Sequence, residues 1–399
     1  MKKAAFIVEN DFLTNGHFGV RNFFSTIKHV MEDMGYEADY VTYRKRSHGG
    51  NVWYKVTPRY LKTPEDQCLE YWLDEKAGKK HITFADVESF MGWQQPMERY
   101  TQAIGANLED EGYEYAFITA PWVVKEDFTL EAEHIVGIVY DCIPNLYAIA
   151  KDGTGYTFAY QHARGYKFYN ENCDYIMADS YEAAMQYRIF FGHKAKNVQA
   201  GYFPPFVPWG VGKQRQAPIH KENSIILSAP FDLRKGIKEM PEFLNALDDV
   251  VDTLYIYGQP RCETQMFNRF FKELHLRHVV YYPHISSEHL VKLYARCKFL
   301  FFPSLQEGLG LPLLEAQVCG CRVITRNLAP MNQLGLDGAI YFEHVQDAVE
   351  KTRSGMMDDG FSYDDLREKA REKYLYRGIR EFIGGNTNEN TSTPRPVEG

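Results

Sequence analysis

Short apolar runs alternate with amphipathic stretches along most of the chain. In the first half, Ala4–Val8, Ala38–Tyr43, Tyr115–Ala120, Ile135–Tyr140, Tyr175–Ala178 and Val198–Tyr202 have the length and the β-branched or aromatic content of strands. Between the first two runs, Val20, Phe23, Phe24, Ile27, Val30, Met31 and Met34 recur at three- and four-residue spacing, which is one face of a helix. Trp93–Leu108 is expected as a second helix, and Tyr181–Phe190 as a third with Ser180 as its N-cap.

A proline-rich stretch, Pro204-Pro205-Phe206-Val207-Pro208, breaks the pattern, and the polar residues up to Lys221 show no period. The alternation then restarts. Strands are expected at Ile225–Ala229, Leu254–Tyr257, Val279–Tyr282, Phe299–Phe302, Arg322–Thr325 and Ala339–Phe342. Helices are expected at Ile237–Leu247, Met266–Leu274, Ser286–Ala295, Leu313–Val318 and, as one long charged element, Asp364–Phe382. Strands alternating with helices call for parallel sheets covered on both faces. The expected division is an α/β domain over 1–205, a linker over 206–222 and a second α/β domain over 223–362. A carboxyl-terminal helix over 363–383 is placed to cross back to the first domain, and a disordered tail covers 384–399. In such sheets ligands bind beyond the carboxyl ends of the strands.

Composition narrows the class. The net charge of −8 divides as −5 through Glu222 and −3 beyond it, so neither half is a basic nucleic-acid module, and a nucleic-acid partner is disfavoured without being excluded. The seven cysteines are odd in number and form no C-x-x-C element, which argues against a disulfide framework or a zinc site and for a reducing compartment. The run after Met1 is too short for a secretory signal and no stretch reaches the length of a membrane span. A cytoplasmic protein is expected, at most peripheral at the inner face of a membrane. Against the acidic background, Tyr40–Lys62 holds six basic residues and no acidic one, interleaved with aromatics. There Arg44, Lys45, Arg46 and Trp53 are candidates for contact with an acceptor or a membrane surface, the alternative being a solvated loop with core aromatics.

The chemistry concentrates after Phe299–Phe302, in Pro303-Ser304-Leu305-Gln306-Glu307-Gly308-Leu309-Gly310-Leu311-Pro312-Leu313-Leu314-Glu315-Ala316. Two glycines let the backbone approach a ligand closely, and Pro312 suits a first helical turn. The N–H groups of Gly310, Leu311 and Leu313 are then expected to point from the helix N-terminus, an anion site suited to a pyrophosphate. Glu307 lies within reach of a group joined to that phosphate. Glu315, one turn into the helix, suits a ribose diol. An isolated G-x-G is an ordinary strand-to-helix turn; here the string is longer and carries two carboxylates.

Together with Cys319-Gly320-Cys321-Arg322-Val323-Ile324, this string resembles the signature of family 4 glycosyltransferases, which are retaining, nucleotide-sugar-dependent enzymes of the GT-B fold. The resemblance runs from about Ser224 to Glu343 and implies two Rossmann-like, doubly wound domains facing a cleft. It implies that Glu307 holds donor-sugar hydroxyls, that the stretch Gly308, Leu309, Gly310 and Leu311 binds diphosphate and sugar, and that Glu315 binds ribose. Lys235-Gly236 matches the family's Lys-Gly, whose lysine neutralises the leaving diphosphate; Pro230 stands where the family has an arginine, and Arg234 is the residue placed to compensate. His284, in Pro283-His284-Ile285, falls on the nucleobase loop. Gly16, in Asn15-Gly16-His17-Phe18-Gly19, falls on a loop resembling the family's glycine loop near the diphosphate. Tyr140-Asp141-Cys142-Ile143-Pro144 resembles the strand-end His-Asp-x-Ile-Pro, with Tyr140 replacing the histidine and Asp141 a candidate for contacting sugar or acceptor hydroxyls.

The function expected on this resemblance is retaining transfer of a hexose from a UDP- or GDP-sugar to a glycan, lipid-linked or other hydroxyl, with Glu307, Lys235 and Asp141 as catalytic residues. The nucleotide-sugar is a substrate, no cofactor or metal is called for, and oligomeric state is left open. The alternatives are a nucleotide-sugar epimerase or hydrolase of the same shape, and a scaffold with a degenerate site. A nicotinamide-dependent enzyme is disfavoured because no G-x-G-x-x-G follows the first strand.

Overall fold

The computed structural model describes residues 2–9, 18–47, 50–57, 68–72, 82–91, 100–126, 128–147, 153–192, 199–202, 205–215, 217–228, 231–358 and 360–385. Gly16 and Pro230 lie outside them, as do the expected tail beyond 385 and the first residues of the helix expected at Trp93–Leu108.

The first sheet is built on β1 (Lys3–Ile7), β2 (Glu37–Lys45), β3 (Asn51–Thr57), β5 (Tyr100–Gly105), β6 (Tyr113–Ile118), β7 (His134–Val139), β8 (Tyr175–Ala178) and β9 (Gln199–Tyr202). Their order is β5-β3-β2-β1-β6-β7-β8-β9. From β2 to β9 the neighbours run parallel, while β3 and β5 add an antiparallel edge. Helix α1 (Phe18–Asp33) buries the stripe Phe23, Phe24, Ile27, Val30 and Met31. Helices α3 (Ile143–Tyr147), α4 (Gly153–Asn172) and α5 (Tyr181–Phe190) follow the strands around the cleft, and Ser180 caps α5 by accepting from Ala183 N at 3.0 Å.

The second sheet contains β10 (Glu222–Ser228), β11 (Thr253–Tyr257), β12 (His278–Tyr282), β13 (Cys297–Phe302), β14 (Arg322–Arg326) and β15 (Ile340–Phe342), all parallel, in the order β15-β14-β13-β10-β11-β12. Alternation sorts its side chains. Ile225, Leu227, Phe299 and Phe301 face the core under α7 (Met240–Asn245) and α8 (Thr264–Glu273), and Ile226, Leu300 and Phe302 face the opposite core, beneath α9 (Ser287–Arg296) and α10 (Leu311–Val318).

Four expectations about the frame change. First, a seventh strand, β4 (Leu69–Trp72), joins this sheet antiparallel to β12, and α2 (Phe84–Met91) packs on α8 through Phe84 and Phe267, centroids 5.7 Å apart. Glu70 Oε1 meets His278 Nε2 at 2.6 Å. A segment of the first 205 residues thus belongs to the second sheet. Second, Tyr100–Gly105 is a strand, not the end of a helix: it pairs with β3, and cross-strand pairing overrides helical spacing. Third, the expected linker is a packed junction. Val207 N donates to Tyr374 O at 2.9 Å and Trp209 N donates to Thr26 Oγ1 at 2.8 Å, while α6 (Trp209–Gly212) sets Trp209 against Tyr376. Fourth, the final helix is two, α12 (Tyr363–Tyr374) and α13 (Arg377–Gly385). The Tyr374 carbonyl is taken by Val207 instead of the next helical turn. Helix α13 returns to the first half, where Ile379 and Ile383 are buried and Arg380 pairs with Asp33 at 3.2 Å. No helix among the described residues is long and apolar enough to cross a membrane.

Candidate active site

The carboxyl ends of the two sheets meet at one turn. Strand β13 ends at Phe302, and Pro303–Gly310 leads into α10 with Gly310 at the N-cap in the left-handed region, φ 95°. Two arginine contacts fix this loop. Arg326, buried, donates from Nε to Pro303 O at 3.0 Å, and Arg234 donates from Nη1 to Gln306 O. Leu313 N donates to Gly310 O at 2.9 Å, so the amide expected to point at an anion closes the first turn instead. Leu309 is buried in the apolar core, so its side chain is packing.

The loop after β10 supplies the cations. Asp232 Oδ1 accepts from Arg234 N at 2.8 Å and caps a single turn over Leu233–Lys235, which Gly236 closes at φ 79°. A Cβ on Gly236 would lie 2.6 Å from the Pro303 carbonyl oxygen, so only glycine lets the two loops touch. Lys235 Nζ reaches Glu307 Oε1 at 2.5 Å, and Arg234 Nη1 reaches Glu307 Oε2 at 3.1 Å. The Glu307 carboxylate is thus pinned between two cations with little exposure. Burial alone would raise its pKa; Lys235 and Arg234 outweigh it and hold the carboxyl below the usual range. Burial pulls the Lys235 amine down despite Glu307. Arg234 is pushed the other way, the Glu307 and Asp232 charges outweighing burial.

Glu315 is placed one turn inside α10 and buried. Its Oε2 faces the Tyr294 hydroxyl at 3.3 Å and the Tyr257 hydroxyl at 3.5 Å, and those hydroxyls bond each other at 2.6 Å. Burial pushes its carboxyl up to about 7 against these two hydrogen bonds. His284, after β12, is half-buried beside Gln259 Nε2, 3.1 Å from its Nε2, and burial lowers its pKa.

The first sheet meets this turn at Gly308. A Cβ there would sit 2.2 Å from the Tyr140 carbonyl oxygen and 3.2 Å from Asp141 Cβ. Ser180 Oγ donates to the Gly308 carbonyl at 2.5 Å. Asp141 accepts from Ile143 N at 2.9 Å, and burial raises its carboxyl to about 6, with Arg234 opposing and Glu307 adding to the rise. The Tyr140 side chain turns away: its hydroxyl donates to Thr119 O at 2.8 Å in the core. The structure therefore gathers Glu307, Gly308, Arg234, Lys235 and Asp141 in one place, with Glu315 and His284 farther along the second sheet's edge.

The basic segment divides. Arg44, Lys45 and Arg46 are exposed at the end of β2, and Arg44 lies over the Tyr54 ring at 5.4 Å. Trp53 is a correction. It is 1 % exposed and packed against Tyr43 and Phe128, because alternation along β3 turns it inward, so it contacts no acceptor or membrane. The sequence reading named Ser180 only as a helix cap, and missed Asp232, Arg326, the Tyr257–Tyr294 pair and Asp179. Asp232 had a local signal, an Asp heading a short turn; the others are brought in by long-range pairing and had none.

Residues 212–373 match the family model described as Glycosyl transferases group 1. The chain is 35 % identical over 88 residues to the serotype-specific mannosyltransferase WbdA of Escherichia coli, covering 22 % of this chain and 11 % of that protein. It thus spans about a tenth of that relative's length. Sucrose-phosphate synthase of Thermosynechococcus elongatus superposes with a TM-score of 0.59 at 15 % identity, over 97 % of this chain and 98 % of that one. HepE of Anabaena, solved with UDP and glucose, superposes with a TM-score of 0.59 at 12 % identity, over 97 % and 99 %. The second half of the chain carries a glycosyl transferases group 1 domain, and the chain as a whole has the GT-B fold.

Proposed function

We propose that this chain transfers a hexose from a nucleoside diphospho-sugar to an acceptor hydroxyl, with retention at the anomeric carbon. The observation that carries the reading is the Glu307 carboxylate held between Lys235 and Arg234 at the mouth of the Gly308–Gly310 turn. Carboxylates flanking an anion site are repelled by phosphate unless they bind hydroxyls, and Glu307 is placed for a sugar joined to a diphosphate. Lysine has three donors and arginine five, so both cations can keep Glu307 while also meeting phosphate oxygens. In the reaction the anomeric C–O bond to the diphosphate breaks and the acceptor oxygen bonds to that carbon. The acceptor proton leaves with the departing diphosphate. Lys235, Arg234 and the amides at the start of α10 stabilise the charge that develops there. This reading assigns no role to a metal ion, and turnover in EDTA is expected to match turnover without it.

The named relative is a mannosyltransferase and a neighbouring structure holds UDP and glucose, so GDP-mannose and UDP-glucose are the first donors to try. The test is release of nucleoside diphosphate from each, with and without a panel of glycoside acceptors, and the anomeric configuration of the product by NMR. Glu307→Gln is expected to lower turnover at least about a hundredfold with nucleotide affinity preserved. Turnover within a few-fold of the parent removes Glu307 from this role. Donor consumption that no acceptor accelerates points to a hydrolase instead.

A further inference from the structure

Asp179 stands at the end of β8, one residue before the Ser180 that bonds Gly308. It is 5 % exposed, and its Oδ1 has no hydrogen-bond partner. No ion pair among the described residues reaches it. Elsewhere in the same sheet a buried carboxylate is treated differently. Asp39 has Lys55 Nζ at 2.6 Å and the Tyr113 hydroxyl at 2.8 Å. A buried polar oxygen left unmade costs about 1–3 kcal/mol, and structural carboxylates are normally satisfied.

Asp141, on the adjacent strand end, and Glu307, in the other half, are the charges that act on Asp179. Burial first, then the Asp141 charge, hold its carboxyl well above the usual range, against weaker opposition from the Ser180 hydroxyl and its own amide. What lies against its neighbours Asp141 and Ser180 is the Gly308 turn of the second half.

We propose that Asp179 is a further acceptor-contacting residue: with Asp141 it forms a two-carboxyl seat at the ends of β7 and β8 for the hydroxyls of a neutral polyol, a sugar ring of the acceptor. A buried carboxyl oxygen without a partner can accept from a sugar hydroxyl, and two carboxyls at adjacent strand ends offer acceptors to a diol. An anionic acceptor group is disfavoured there, because the seat holds no cation of its own. The inference rests on the glycosyl-transfer reading, which supplies the second substrate.

The test uses the full chain, Asp179→Ala and Asp179→Asn, the donor of GDP-mannose and UDP-glucose that the parent consumes, and methyl α-D-mannopyranoside as probe. Asp179→Ala is expected to raise the half-saturating mannoside concentration about tenfold or more. Nucleoside diphosphate affinity and release into water are expected to stay unchanged, and Tm to stay level or rise, since an unmet carboxyl has been removed. Asp179→Asn, which keeps a donor and an acceptor, is expected within about threefold of the parent. An unchanged mannoside dependence in Asp179→Ala overturns the proposal. So does a Tm lowered by several degrees or a failure to fold, which makes Asp179 structural, and so does an equal loss of nucleotide affinity. If the parent consumes neither donor, the transfer reading fails by itself. Saturation-transfer NMR of the mannoside then decides the seat: a signal in the parent that Asp179→Ala loses upholds it, and no signal in the parent overturns it.

Discussion

Two strand ends face each other across the cleft, and their buried carboxylates are handled in opposite ways. At the end of β13, Glu307 has Lys235 at 2.5 Å and Arg234 at 3.1 Å, and the cations hold it below the usual carboxylate range. At the ends of β7 and β8, Asp141 and Asp179 have no cation of their own half beside them and are both pushed up. One side sets cations beside its carboxylate, and the other buries its carboxyls and raises their pKa. On the proposed reading, that asymmetry suits the second half to a diphosphate and the first to a neutral, hydroxyl-rich substrate.

The largest expected effect comes from wedging the two sides apart. Gly308→Val places a branched side chain where a single Cβ already lies 2.2 Å from the Tyr140 carbonyl oxygen. Turnover is expected to fall at least about a hundredfold, because the wedge sits where the two proposed substrate sides touch. Steady-state rates measure it, and turnover within a few-fold of the parent would show that this contact is not needed for the reaction.

A smaller effect sharpens the second half. The Glu315 carboxyl is pushed up to about 7, so the folded protein favours its protonated form. That contribution is complete below the ordinary carboxylate range and is lost as pH rises through about 7, on the order of 3 kcal/mol at most. Denaturation of the parent and of Glu315→Gln between pH 5 and pH 8.5 should therefore diverge, the parent losing stability with rising pH relative to the variant. Parallel curves would show that Glu315 is ionised throughout. The smallest effect belongs to the exposed edge of the first sheet. Replacing Arg44, Lys45 and Arg46 together by Ser should weaken binding to vesicles containing anionic lipid and lower the rate on a lipid-linked acceptor by a few-fold, with donor binding intact. No change in either limits these residues to solubility.

The alternation of apolar runs announced both sheets, and the cap residue Ser180 announced a helix, because those signals are local. Glu307 and Glu315 stood out as candidates because a strand end, a glycine turn and a helix start are contiguous in sequence, whereas Lys235 was named only through the family resemblance. What escaped depends on distant partners. Leu69–Trp72 has nothing in its own sequence to say that it pairs with β12 in the other half. Trp53 looked like a surface aromatic among basic residues until pairing with β2 and β5 fixed its face. Asp179 follows an apolar strand like many strand-end aspartates, and only its unpartnered buried oxygen and the contact of the next residue, Ser180, with Gly308 distinguish it.

The most direct measurement is the affinity of GDP and of UDP for the parent, Lys235→Ala and Asp141→Asn by calorimetry. The expected result is that one nucleotide binds the parent, that Lys235→Ala weakens it at least about tenfold, and that Asp141→Asn leaves it within about twofold. Weakening by Asp141→Asn without weakening by Lys235→Ala would contradict the placement of the diphosphate on the second half.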